Sequence, residues 1–194
     1  AYAVHLMELN GLEPGQGPVL VDGATGGVAS VAIDMLTQRG YQVTAMSGKT
    51  DEVPYLKSLG ASEVIGRLAP QDKPKPLEKA QWAGAVDSVG GATLAWLTRT
   101  MLPGGVIASF GNAGGAELET TVLPFILRGI RLLGVNANSP MPVRQIVWKK
   151  IANEYRPAHL ARIAHVIGMD ELPTYLDRTL AGQVRGRTVI DMGK

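Results

Sequence analysis

Short apolar runs closed by glycine alternate along the chain with segments whose apolar residues recur every three to four positions. The first run, Pro18 to Val21, has the pattern of a buried strand and ends in Asp22-Gly23-Ala24-Thr25-Gly26-Gly27. Val28, Val31, Ala32, Met35 and Leu36 follow with helical spacing, and Arg39-Gly40 supplies a basic last turn and a C-terminal glycine. Tyr41 to Met46 predicts a second strand. A helix is expected from about Asp51 to Leu59, with two acids and Pro54 in its first turn and Gly60 past its end, and a strand at Glu63 to Ile65. Beyond a polar, proline-bearing loop at Pro70 to Pro76, the pattern predicts a strand at Gly84 to Asp87 and a helix from about Thr93 to Leu102. A strand at Gly105 to Phe110 then ends in Gly111-Asn112-Ala113-Gly114-Gly115, and a helix near Val122 to Arg128 leads to a strand at Arg131 to Val135. Six strand signals joined by helices predict an α/β fold built on a doubly wound, parallel, six-stranded sheet, because parallel neighbours require crossovers.

After Asn138-Ser139-Pro140 the pattern changes. Val143, Ile146, Val147 and Ile151 share one helical face, a second helix is expected over roughly Met169 to Ala181, and Arg187 to Asp191 reads as a strand. The division expected is therefore residues 1–139 and 140–194, the second part either capping the sheet or belonging to another domain. A helix-like pattern is already running at the first residue with no capping signal before it, so the chain reads as a possible piece of something longer.

Composition narrows the chemistry. The 194 residues include no cysteine, which removes disulfides, thiolate nucleophiles and cysteine-ligated zinc, and the three histidines, His5, His159 and His165, are scattered, so no metal site is expected. Net charge is +2 with the basic residues dispersed, which indicates neither a nucleic-acid groove nor a membrane patch. No apolar run approaches the roughly 18 residues that span a bilayer, and the opening AYAVHLMELNG has no features of a secretory signal; a cytoplasmic location is the expectation.

The strongest local motif is Gly23-x-x-Gly26-x-x-Ala29 between the first strand and first helix, a relative of the Rossmann-type dinucleotide fingerprint. Gly23 permits the tight turn, Gly26 a close approach of backbone to pyrophosphate, and Ala29 close packing of helix on strand; the helix N-terminus offers free N–H groups to an anion. At the end of the second strand an NAD-preferring site would place an acid for the ribose hydroxyls. Met46-Ser47-Gly48-Lys49-Thr50 instead offers hydroxyls and a cation suited to a 2′-phosphate, which favours NADPH. Gly48-Lys49-Thr50 is not the end of a phosphate loop, since that pattern needs glycine where Val43 stands. None of the five tyrosines has a lysine four positions on, and no G-x-S-x-G elbow occurs, so short-chain dehydrogenase and serine hydrolase chemistry are both disfavoured.

The blocks GATGGVAS, SGKTDEVPYLKSLGASEVIGR, WAGAVDSVGG, TTVLPFILRGIRLLGVN and QVRGRTVID together resemble the zinc-independent medium-chain dehydrogenase/reductase superfamily, in its acrylyl-CoA reductase and quinone oxidoreductase branch. The resemblance runs from about Ala1 to Asp191. It implies a Rossmann domain that binds NADPH and a GroES-like domain formed mainly by the first third of the family's polypeptide, which this chain lacks; residues from about Pro140 onward would return to that domain. Whether the chain is a short protein in its own right, a non-catalytic NADPH-binding module, or a fragment of a longer reductase stays open at this point.

By the same resemblance, Thr25, Gly26, Gly27 and Val28 would surround the pyrophosphate, Ser47 and Lys49 the 2′-phosphate, and Arg67 the adenosine end. Arginine is more usual where Lys49 stands; lysine keeps the charge and loses the planar fork. Asn112 and Leu127 match positions on the nicotinamide side, Leu127 being read equally well as core, and Arg187 resembles a family arginine near the cofactor or substrate phosphates. The implied activity is hydride transfer to an activated alkene such as acrylyl-CoA, or to a quinone or enone, and the sequence names no catalytic residue. The basic set Arg144, Lys149, Lys150, Arg156 and Arg162 could meet a CoA thioester and is more simply a solvated helix face. The implied assembly is a homodimer through the sixth strand.

Overall fold

Val19, Leu20 and Val21 form β1 (Val19–Val21), a strand buried on both sides, and the side chains at its two ends and its middle enter different cores. That is the signature of a sheet covered on both faces. The computed structural model describes residues 1–69 and 74–193; of the loop expected at Pro70 to Pro76, residues 70–73 lie outside the described residues. β1 pairs in parallel with β2 (Val43–Met46) on one side and β4 (Trp82–Asp87) on the other. β3 (Glu63–Ile65), β5 (Met101–Ser109) and β6 (Arg131–Gly134) extend the sheet to the order β3-β2-β1-β4-β5-β6, every pair parallel. The strand order reverses between β1 and β4, and a crevice opens at such a point beyond the carboxyl ends of the strands.

The helices follow from the same alternation. α1 (Tyr2–Leu9) and α2 (Gly27–Gln38) cover one face through Val4, Met7, Ile33 and Leu36, joined by Leu56 of α3 (Val53–Ser58). α4 (Gly91–Thr100) covers the other through Leu94, Trp96 and Leu97, with Trp82 set edge-on to Trp96, and α5 (Leu123–Arg128) adds Phe125. The helix expected over Asp51 to Leu59 is a 3-10 turn at Thr50–Glu52 followed by α3. α4 starts two residues earlier than its pattern predicts. Asp87 accepts the Gly90 N–H at 2.9 Å, and the chain then passes into the helix at Gly91.

Residues 141–193 add α6 (Met141–Ala152), α7 (Leu160–Ile163), β7 (Ala164–Gly168), α8 (Leu172–Leu180) and β8 (Arg187–Asp191). β7 and β8 pair in parallel as a second, two-stranded sheet. β7 escaped the sequence pattern because it follows α7 without a glycine or proline between them. This tail is tied to α1 and α2. Asp34, fully buried on α2, accepts the His159 N–H at 2.7 Å and lies 2.8 Å from His159 Nδ1, and the Tyr155 hydroxyl donates to Glu8 Oε2. Burial and the Glu8 carboxylate raise the Tyr155 and Tyr41 hydroxyls above the ordinary phenol range, so both stay protonated donors around Glu8.

Candidate functional site

The glycine-rich turn lies at the switch point between β1 and β4. Gly23 adopts φ +51°, which glycine takes without strain, and a side chain there would collide with Ser88 Oγ on the neighbouring turn. The Ala24 N–H donates to Met46 O at 3.1 Å and Ser30 Oγ to Ala24 O at 3.0 Å, so β2 and α2 both hold the turn. No side chain caps α2 at Gly26, which leaves N–H groups of its first turn without a side-chain partner. This is the geometry of an anion site.

Three cations border it. The Gly186 N–H donates to Thr25 O at 2.8 Å, which brings the start of β8 against the turn and sets the Arg187 guanidinium on Gly27: a Cβ added at Gly27 would stand 3.1 Å from Arg187 Nε and 2.6 Å from Gly186 O. At the end of β2, a Cβ at Gly48 would stand 2.6 Å from Arg67 Nε, so Arg67 reaches across from β3 over Gly48. Lys49 donates its backbone N–H to Ser47 Oγ at 3.1 Å and its ammonium to Val184 O at 2.9 Å. Ser47 is buried, Lys49 half-buried and Arg67 exposed. The structure therefore gathers Ser47, Lys49 and Arg67 into one lip and Gly23, Thr25, Gly26, Gly27 and Arg187 into another. The segment Val184 to Arg187 runs between the two.

Val28, expected beside the pyrophosphate, is 51% exposed because it belongs to the first turn of α2, above the crevice. With Phe110, Val135, Val143, Val147 and Trp148 it lines a largely apolar cavity of about 470 Å³. Asn112 is exposed in the turn after β5, and its backbone passes against Gly90. Leu127 is 63% exposed on α5, which removes the core-packing reading. Of the basic set of the tail, Arg144 donates to Ala137 O, Lys150 pairs with Glu154, and Arg162 donates to Ser58 O.

Two buried acids, Asp22 and Asp87, lie directly under the turn and were not singled out from the sequence. Asp22 Oδ1 accepts the Ser88 N–H at 2.7 Å, and Asp87 accepts the Ser109 hydroxyl at 2.6 Å. The signal was an acid closing each of two apolar strands, but their adjacency is a property of strand order alone. Among the described residues no three His, Asp or Glu side chains gather as metal ligands.

Residues 27–153 match the family model described as zinc-binding dehydrogenase. The chain is 45% identical over 195 residues to "Putative quinone oxidoreductase YhfP" of Bacillus subtilis, covering 99% of this chain and 59% of that protein. The solved structure of yhfP, with NAD bound, superposes with a TM-score of 0.93 at 44% identity over 98% of this chain and 59% of that one. Acrylyl-CoA reductase AcuI of Ruegeria pomeroyi is 43% identical over 192 residues, 98% of this chain and 58% of that protein. The yhdH oxidoreductase of Salmonella enterica, solved in complex with NADP, is 40% identical with a TM-score of 0.92 over 98% and 59% of the two chains. The chain thus spans somewhat under three fifths of these relatives' length, with the whole of its own sheet and crevice inside the match. It belongs to the medium-chain dehydrogenase/reductase superfamily, in the zinc-independent branch of the acrylyl-CoA reductases and quinone oxidoreductases.

Proposed function

We propose that the chain is the nucleotide-binding part of a cytoplasmic, NADPH-dependent reductase acting on an activated alkene such as acrylyl-CoA, with residues 140–194 returning to a GroES-like domain. The observation that carries the cofactor is the pair of cationic lips, Lys49 with Arg67 and Arg187 with the uncapped start of α2, spaced along one crevice at the switch point. A dinucleotide phosphate carries negative charge at its pyrophosphate and at its 2′-phosphate, and each lip offers donors for one of them. Thr25, Gly26, Gly27 and Val28 hold the pyrophosphate in this reading, Ser47, Lys49 and Arg67 the 2′-phosphate and adenosine end, and Asn112 and Leu127 face the nicotinamide side. When bound, the cofactor supplies the hydride. Val28, Phe110 and Val135 form an apolar wall that excludes water from the reacting end of the crevice. Support for the cofactor comes from yhdH, solved with NADP, and support for the substrate class from AcuI.

A quinone or enone reductase is the second reading, favoured by the name of the Bacillus relative. The two are separated by following NADPH absorbance with the full-length protein offered acrylyl-CoA or a quinone. Oxidation driven by acrylyl-CoA supports the first and oxidation by quinone alone the second; oxidation by neither leaves an NADPH-binding module. β6 stands at the sheet edge, and its open edge is the surface we propose for a homodimer. A strict monomer by light scattering at high concentration contradicts that assembly.

A further inference from the structure

The buried acids beneath the turn pose a proton-accounting problem. Asp22 and Asp87 are both fully buried, at the ends of the adjacent strands β1 and β4. Both oxygens of Asp87 accept hydrogen bonds, Oδ1 from the Gly90 N–H at 2.9 Å and Oδ2 from the Ser109 hydroxyl at 2.6 Å. Asp22 Oδ1 is served by the Ser88 N–H at 2.7 Å and lies 3.0 Å from Ser88 Oγ. Asp22 Oδ2 is buried with no hydrogen-bond partner, and Asp22 and Asp87 directly follow the paired residues Val21 and Val86 of adjacent strands, which sets the two carboxyls side by side under the turn. Two carboxylates in contact cannot both ionise in such a place, and a buried acceptor without a donor is costly. One proton on Asp22 Oδ2, donated to Asp87, satisfies every oxygen of the pair. The proton is placed on Asp22 because both oxygens of Asp87 already accept from other donors.

We propose that Asp22 is a positioning residue: a neutral acid whose hydrogen bond to Asp87 ties the glycine-rich turn to the Ser88–Gly90 turn and keeps negative charge from accumulating under the phosphate site. The assignment rests on the cofactor reading given above for its ligand. The link to the turn is direct, because Gly23 follows Asp22 and packs on Ser88 Oγ, which the Asp22 carboxyl also engages. From β1, β4, β5 and the two turns, Asp87 is the one ionisable group that acts on Asp22; Arg187 and Lys49 border the crevice on Gly27 and Val184. Burial first, then Asp87, pushes the Asp22 carboxyl up to about 8. Loss of that proton would place a second negative charge beneath an anionic ligand.

The test is NADPH binding to this chain by fluorescence between pH 7 and 10, with wild type and Asp22→Asn, together with infrared difference spectra over the same range. Asparagine keeps a donor toward Asp87 and an acceptor for Ser88 but cannot ionise. The expected result is a dissociation constant that rises above pH 8 in wild type, approaching tenfold per pH unit, and stays level relative to it in Asp22→Asn. The ligand's own titration is common to both proteins and cancels in the comparison. A protonated-carboxyl band that disappears with rising pH in wild type and is missing in the variant marks the acid directly. Parallel binding profiles, or no such band, overturn the proposal. A titrating band without NADPH binding at any pH refutes instead the cofactor reading and the ligand assigned here. Asp22→Glu, which restores an acid on a longer stem, serves as a second variant: it should recover a pH dependence, and a flat profile in it counts against the mechanism.

Discussion

Removal of the Lys49 ammonium separates two contributions that the structure places on one side chain. Lys49 Nζ donates to Val184 O at 2.9 Å, a bond that braces the segment leading to Arg187, and it stands beside Ser47 where a 2′-phosphate would lie. In Lys49→Ala the first loss is common to NADH and NADPH and costs about 0.5–1.5 kcal/mol of bracing. The second loss falls on NADPH alone. A charge-assisted hydrogen bond contributes about 1.5–3 kcal/mol, and screening at this half-buried position lowers that to about 1–2 kcal/mol. The NADPH-to-NADH affinity ratio should therefore fall about 5- to 30-fold in the variant. Lys49→Arg should retain most of the ratio, because the guanidinium keeps the charge and adds a planar fork. Calorimetric titration of both coenzymes into wild type and each variant reads the ratio. Equal weakening of NADH and NADPH would refute the phosphate role and leave Lys49 only as a brace for Val184.

Gly27→Ala puts a Cβ 2.6 Å from Gly186 O and 3.1 Å from Arg187 Nε, so the start of β8 must retreat from the turn; both coenzymes should weaken together, by tenfold or more, with calorimetry as the check. Asp34→Ala leaves the His159 N–H without its acceptor and should destabilise the docking of the tail by about 1–3 kcal/mol. Hydrogen exchange should then quicken across residues 155–163 ahead of β1 and β4, and uniform exchange would argue against a separable tail. Asp22 binds its proton more tightly folded than unfolded. Its contribution to stability is complete below about pH 4 and is lost progressively as pH rises to about 8. Relative to Asp22→Asn, wild type should lose up to about 1.4 kcal/mol per pH unit between those limits, read from urea midpoints at pH 5 to 9; parallel curves would mean Asp22 is ionised throughout.

Much of the sheet was legible because its strands are short, apolar and closed by glycine, and because burial on both faces erases the polar alternation that blurs strand ends elsewhere. Val19–Val21 and Glu63–Ile65 fall where the pattern put them, and Arg187–Asp191 matches residue for residue. Helix starts were less legible. The entry to α4 depends on a hydrogen bond from Gly90 to Asp87 that only the folded turn creates, and β5 runs from Met101 through Pro103-Gly104, an irregular stretch that reads as a helix end and a turn. β7 was invisible because it follows α7 directly, with no glycine or proline to mark where the helix ends and the strand begins. At the site, the turn and the Ser47–Lys49 lip could be read locally, since both follow strand ends directly. The Lys49 bond to Val184 spans 135 residues, and the Asp22–Ser88 bond spans 66; neither leaves a trace in local periodicity. Val28 shows the converse limit, since helical spacing alone cannot tell a buried face from a first turn that overhangs a crevice.

The function proposed for this crevice requires that it take a phosphorylated dinucleotide. The most direct measurement is calorimetric titration of the 194-residue chain with NADPH and, separately, with NADH. Saturable binding of one NADPH per chain, with NADH clearly weaker, is the predicted result; no binding of either, or tighter binding of NADH, would contradict it.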